Sequence, residues 1–157
     1  KIMNFTKFHK GIWFYGPSGS GKTFASNFLK KKIKNLVIVD GDKVRKLISF
    51  DLGYNINDRK IQIKRILGIS KLIIHSNKFP ICSTVFMTKR ILSACKENKI
   101  LILKIDRNLK KIKKTHKTYK EKKNVVGLDI EYEKFKTKTI FNDGKKNFLR
   151  KIKKILK

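Results

Sequence analysis

Ile12-Trp13-Phe14-Tyr15-Gly16-Pro17-Ser18-Gly19-Ser20-Gly21-Lys22-Thr23 opens with a short apolar run, stops at Gly-Pro, and turns into a Gly/Ser loop ending in Lys-Thr. The run reads as a buried strand feeding a loop, and residues 22–33 read as the helix that follows. From Gly16 to Thr23 the chain fits G-x-x-x-x-G-K-[ST] without exception. That pattern has a physical content. Glycines let backbone N–H groups turn inward and approach phosphate oxygens, making an anion nest at a helix N-terminus. Lys22 adds a mobile positive charge for the β- and γ-phosphates, and the Thr23 hydroxyl suits Mg²⁺. With strand before and helix after, Gly16, Ser18, Gly19, Ser20, Gly21, Lys22 and Thr23 are the expected holders of a nucleoside triphosphate.

Outward from this loop, apolar runs alternate with amphipathic stretches, the pattern of strands and helices around a parallel sheet. Leu36-Val37-Ile38-Val39 reads as a second strand, Phe79 to Phe86 as a third and Ile100 to Ile105 as a fourth. Thr137 to Phe141 is expected to be the last. Between them, Asn57 to about Asn77 places Ile63, Ile66, Leu67, Ile73 and Ile74 on one helix face, with Asn57 as its expected N-cap. Thr88 to Asn98 and residues 145–156 read as two further helices. Residues 107–136 are Lys-rich with few large apolar residues before Val125-Val126, and suggest a mobile lid over an anion. The expected fold is α/β: one P-loop kinase-like domain over residues 1–157, a three-layer sandwich around a parallel sheet with a Lys-rich lid.

Composition narrows the function. The 157 residues carry 41 Lys+Arg against 11 Asp+Glu, a net charge of +30. Such a surplus has two explanations, a polyanionic partner or compositional drift toward Lys, Ile and Asn. No apolar run approaches the ~20 residues of a membrane span. The start shows no secretory signal, so the expected compartment is the cytoplasm. Cys82 and Cys95 have no metal or disulfide spacing, and His9, His75 and His116 are scattered.

With so few acids, the grouping of Asp40, Asp42, Asp51 and Asp58 after the second strand is informative. Ligands of open α/β sheets bind beyond the carboxyl ends of the strands. Asp40 and Asp42 are therefore expected at the same edge as the phosphate loop. A small-molecule kinase needs one carboxylate there to orient or deprotonate the attacking hydroxyl, and another to hold Mg²⁺. Turn chemistry alone would also account for Asp-Gly-Asp. Arg45, one helical turn beyond Asp42, and Arg59 are placed to reach an anionic substrate group.

The order phosphate loop, Asp40-Gly41-Asp42-Lys43-Val44-Arg45, Asp51-Leu52-Gly53-Tyr54, Asp58-Arg59 resembles the adenylylsulfate kinase family, whose pattern is D-G-D-N-[VI]-R, D-L-G-F and D-R at these spacings. Gly127-Leu128-Asp129 with Tyr132-Glu133 is similar to the family's segment after the lid. The resemblance runs from about Gly11 to the C-terminal helix. It implies transfer of the γ-phosphoryl of ATP, with Mg²⁺, to the 3′-hydroxyl of a nucleotide whose 5′-phosphate carries a second anionic group. By position it implies Asp40 and Asp42 as metal and hydroxyl-activating carboxylates, with Lys22 beside them. Arg45, Tyr54 and Arg59 match residues that grip the acceptor, and Lys117 and Lys120 lie in the expected lid.

The departures gather on the acceptor side. The family's Asn after D-R is Gln62, its Ser after the third strand is Met87, and the Phe that stacks on adenine is Val125; the lid, ending in Tyr119, looks shortened. A pyrimidine acceptor such as cytidine diphosphoramidate, used in some bacterial capsules, therefore competes with adenylylsulfate. The alternative class is a nucleic-acid-binding or nucleic-acid end-modifying P-loop protein. The lysines are spread through every segment and most aromatics lie inside apolar runs, which disfavours it. The expected partners are a small nucleotide acceptor and a second copy of the chain in a homodimer, without membrane or nucleic acid.

Overall fold

The computed structural model describes residues 2–108, 110, 112, 125–126, 130–131 and 133–156. Its elements are α1 (Ile2–Phe8), β1 (Gly11–Tyr15), α2 (Lys22–Lys30), β2 (Leu36–Asp40), α3 (Gly41–Leu47), α4 (Ile56–His75), β3 (Phe79–Thr84), α5 (Lys89–Glu97), β4 (Ile100–Asp106), β5 (Lys138–Phe141) and α6 (Lys145–Ile155). The α/β expectation holds. Five strands form one sheet in the order β2-β3-β1-β4-β5, and every pair is parallel.

Each strand of the inner sheet is buried on both faces, so it reads as a continuous apolar run. Alternation along β1 sends Trp13 and Tyr15 into one core with Val44, Ile63, Ile66, Cys82, Ile91 and Ile102. Ile12 and Phe14 enter the other, with Ala25, Leu29, Ile81, Leu103, Phe148 and Ile152. Thus α3, α4 and α5 cover one face of the sheet, and α1, α2 and α6 cover the other. The indole of fully buried Trp13 still needs a partner. It donates to Thr84 Oγ1 at 2.8 Å, and the Thr84 hydroxyl donates in turn to Phe86 O at 2.9 Å.

Parallel register aligns the strand ends. Trp13 pairs with Cys82, Asp40 with Ser83, and Asp106 with Phe141. One carboxyl edge therefore collects Gly16, Asp40, Thr84, Arg107 and Asn142, the place where α/β sheets hold ligands.

Several expected boundaries move. The long helix begins at Ile56 with Asn55 as N-cap, not Asn57. Asn55 Oδ1 accepts from Asp58 N at 2.9 Å while its amide donates to Asp58 Oδ2 at 2.7 Å, a reciprocal pair that Asn57 cannot make. Asp40-Gly41-Asp42 is the start of α3, not a turn. The helix after the phosphate loop stops at Lys30, short of residue 33. The sequence reading also missed α1, seven residues whose Phe5 packs against Phe79. Such a short helix leaves little periodicity to read.

Only part of the expected lid, 107–136, falls among the described residues. Ile112, Val125 and Val126 are buried, and Phe135 packs on the Tyr15 ring at 5.9 Å between centroids. Those residues are anchored in the body. Lys117, Tyr119, Lys120, Gly127-Leu128-Asp129 and Tyr132 lie outside the described residues. Replacing Asn55 by Ala removes the N-cap of α4 and is expected to cost about 1 kcal/mol. In a chain of this size that lowers Tm by about 2–4 °C, and a thermal melt against wild type checks it.

Candidate active site

Ser18, Gly19, Gly21, Lys22, Thr23, Asp40, Asp42, Arg45, Tyr54, Arg59, Gln62 and Val125 line one cleft of about 1240 Å³ at the carboxyl edge of the sheet. Gly16 and Ser20 belong to the same loop but are not lining residues. The other sequence-expected site residues that fall among the described ones therefore share a single opening. Phe50, Ser83, Thr84 and Phe86 are among its other lining residues.

The phosphate loop requires its glycines. Gly16, Gly19 and Gly21 have φ of 142°, 75° and 110°, values L side chains rarely adopt. A Cβ on Gly16 would stand 2.1 Å from Ile105 O, and one on Gly21 2.6 Å from Asn142 Nδ2. The loop is thus pressed onto the end of β4 and onto the residue after β5. Asn142 donates to Ser20 O at 2.8 Å, and Arg107 to Gly19 O at 3.2 Å. Sequence reasoning missed both anchors. The available signal was position, since each directly follows a strand at the ligand edge.

The Lys22 ammonium is buried and donates to Gly16 O at 2.8 Å and Pro17 O at 2.7 Å. Burial pushes its pKa down to about 8, against the pull of Asp42 and Asp40, which favour the charged form. A cation held on loop carbonyls beside a nest of amides fits a phosphate arriving between them. The buried Ser20 Oγ has no hydrogen-bond partner. Thr23 and Asp40 offer hard oxygen donors, the kind Mg²⁺ takes. Among the described residues no group of three or more His, Cys, Asp or Glu is placed to hold a metal ion by itself.

The shift has a sign. Below about pH 8 protonated Lys22 weakens the folded state, and this penalty is relieved as pH rises toward the ordinary lysine range. A bound phosphate reverses the preference, because it favours the ammonium. ATP affinity is therefore expected to be level up to pH near 8 and then to fall by as much as about tenfold per pH unit. Calorimetric titration across that range checks it, and a level profile contradicts it.

The four grouped carboxylates separate into different tasks. Asp40 caps α3, its Oδ1 accepting from Asp42 N at 2.9 Å and Lys43 N at 3.2 Å. Asp51 forms a two-pronged pair with Arg65, which tethers the loop after α3 to α4 and holds the Asp51 carboxyl below its usual range. Asp58 accepts from Gly53 N at 2.9 Å and from Asn55, shaping the Gly53–Asn55 turn. Asp42 stands exposed in the first turn of α3 at the cleft.

That turn presents Tyr54. The Arg45 guanidinium lies 4.6 Å from the centre of the Tyr54 ring and that of Arg59 5.6 Å. Arg45 also donates to Leu52 O and Gly53 O, and Arg59 Nε to Tyr54 O at 2.9 Å. The three residues form one cationic group, positioned by backbone carbonyls and cation–π contact.

Gln62 is buried on α4, its amide donating to Gly41 O at 3.0 Å, while its Oε1 has no partner. Val125 is buried and contributes an aliphatic side chain to the lining of the same cleft. Met87 is fully buried core. Cys82 and Cys95 are buried too, and burial pushes the Cys82 thiol up to about 12 and that of Cys95 higher. Neither is poised as a nucleophile.

Comparison with known proteins agrees with this arrangement. The family model for adenylylsulphate kinase matches residues 9–141. The adenylyl-sulfate kinase of Buchnera aphidicola subsp. Acyrthosiphon pisum is 36% identical over 83 residues, 49% of this chain and 40% of that protein. That of Staphylococcus haemolyticus is 38% identical over 78 residues, 47% and 39% of the two chains. The matched stretch thus spans about two-fifths of these relatives' length. Among solved structures, the Mycobacterium tuberculosis APS kinase in complex with AMPPNP and APS superposes with a TM-score of 0.78 at 19% identity, covering 94% of this chain and 95% of that one. No helix among the described residues is long and apolar enough to cross a membrane. With the sheet order, the phosphate loop and a family match over most of its length, the chain belongs to the adenylylsulphate kinase family.

Proposed function

We propose that this protein is an ATP-dependent kinase that transfers the γ-phosphoryl group to the 3′-hydroxyl of a nucleotide 5′-anhydride. The observation that carries the reading is the single cleft shared by the phosphate loop, Asp42, the Arg45–Tyr54–Arg59 group and Gln62. The loop amides and Lys22 hold the triphosphate and face the charge that develops on the transferring group. Asp42 orients the acceptor hydroxyl and takes its proton. Arg45 and Arg59 meet the anionic anhydride. Thr23 and Asp40 would hold Mg²⁺, which would supply positive charge to offset that of the phosphates.

The acceptor base meets Val125 where the wider family has an aromatic ring, and Tyr54 already lies beneath two guanidinium groups. A stacked ring is worth roughly 1–3 kcal/mol per base. Weaker gripping of adenine favours a cytidine-type 5′-anhydride, such as cytidine diphosphoramidate, as a competing acceptor. The test is ADP release at fixed ATP with each acceptor, compared as kcat/KM. The cytidine compound is expected within tenfold of adenylylsulfate or better. A hundredfold advantage for adenylylsulfate, about 2.7 kcal/mol of transition-state preference, overturns the pyrimidine assignment and keeps the kinase.

A further inference from the structure

The positive charge of this molecule is less evenly distributed than its lysines suggest, because the acids are confined. No Asp or Glu occurs on α1, α2 or α6, the helices that cover one face of the sheet. The segments linking them to neighbouring strands, 9–10 and 31–35, carry none either, but add Lys10, Lys31, Lys32 and Lys34. Asp143, just before α6, is answered by Lys151 at 2.9 Å. On the opposite face, acids interrupt the lysines. There Asp51 pairs with Arg65, Glu133 accepts from Lys89 N, and Asp58 and Glu97 lie on α4 and α5. Drift acting without regard to position would thin the acids on both faces alike.

The cations of the acid-free face are ordered. On α6, Lys146, Arg150, Lys153 and Lys154 are all exposed, and their spacing puts them on one stripe opposite buried Phe148, Ile152 and Ile155. Four charges spread over about 12 Å of helix axis stand about 4 Å apart on average, comparable to the ~3.4 Å of axis between phosphates along one nucleic-acid strand. Lys153 also sits 6.0 Å from the Phe28 ring of α2, which places the stripe against α2, at whose C-terminal end Lys30, Lys31 and Lys32 are exposed. The outward positions of α6 are Lys, Arg and Asn, with no large apolar side chain to enter a lipid interface.

We infer that the outer face of α2 and α6 binds the phosphate backbone of a nucleic-acid duplex without reading its sequence. Backbone contacts of this kind position a duplex and carry no base information. The surface is separate from the cleft, which opens at the carboxyl edge of the sheet.

The test is fluorescence anisotropy of labelled mixed-sequence DNA and RNA duplexes, with salt raised from about 50 to about 200 mM. Wild-type protein is expected to bind both, with affinity falling linearly on a log–log scale. The variant K146E/R150E/K153E/K154E is expected to lose at least tenfold at low salt and to flatten the slope by about 3–4, the share of four phosphate contacts. A control of equal charge on the other face, K60E/K64E/K71E/K96E, is expected to keep wild-type affinity within threefold. Replacing the same four α6 residues by Gln gives a second reading if the Glu variant melts early. Absence of duplex binding at about 50 mM salt, or equal weakening by the two charge-reversed variants, overturns the inference. So does capture by phosphatidylserine vesicles without capture of either duplex.

Discussion

Asp42→Asn is expected to bind ATP with near wild-type affinity and to lose phosphoryl transfer by about 10²–10⁴-fold, the usual worth of a positioned general base. The amide keeps the size and the place in the first turn of α3 but cannot accept the hydroxyl proton. The other acids of the cluster are engaged elsewhere. Asp40 Oδ1 holds two backbone amides, Asp51 holds Arg65, and Asp58 holds Gly53 and Asn55. The substitution has a second, independent signature. Asp42 is the larger of two carboxylate influences favouring charged Lys22, so its removal should move the alkaline limb of ATP binding to lower pH. Transfer within about threefold of wild type would contradict the base assignment.

Lys22→Ala should lower turnover by about 10²-fold or more, comparable to removing one preorganised donor from a charge-stabilising site. The ammonium is buried against Gly16 O and Pro17 O, so truncation also leaves those carbonyls without that donor. Phosphoryl transfer rests almost wholly on positioning and charge stabilisation, and no other cation is buried within this loop. Steady-state ADP release at saturating acceptor reads the effect. Near-normal turnover would contradict the role given to the loop.

The parts of this molecule legible in the sequence are those with strong local patterns. Ile12 to Thr23 announced strand, nest and helix together, because apolar run, glycines and Lys-Thr each have a separate physical cause. The acids of 40–58 pointed to the ligand edge, yet their individual tasks depended on partners far along the chain. That Asp51 serves Arg65 and Asp58 shapes Gly53–Asn55 is decided by how α4 packs, which spacing does not reveal. Asn142 and Arg107 were missed for the same reason, since they reach the phosphate loop from strands distant in sequence. The cap of α4 is Asn55 and not the expected Asn57, and the reciprocal bond with Asp58 that decides this is not visible in the spacing. The lysines, spread evenly in sequence, concealed a face without acids that only the pairing of α2 with α6 assembles.

The central claim is transfer of the γ-phosphoryl group to a nucleotide 3′-hydroxyl in this cleft. The direct measurement is to incubate the protein with γ-labelled ATP, Mg²⁺ and each nucleotide 5′-anhydride, and to locate the labelled phosphate in the product by phosphorus NMR. Label on the 3′-oxygen, absent with the 3′-deoxy acceptor and absent with Asp42→Asn, is the expected result. Release of labelled inorganic phosphate alone, or label on the 3′-oxygen that persists undiminished in Asp42→Asn, would contradict it.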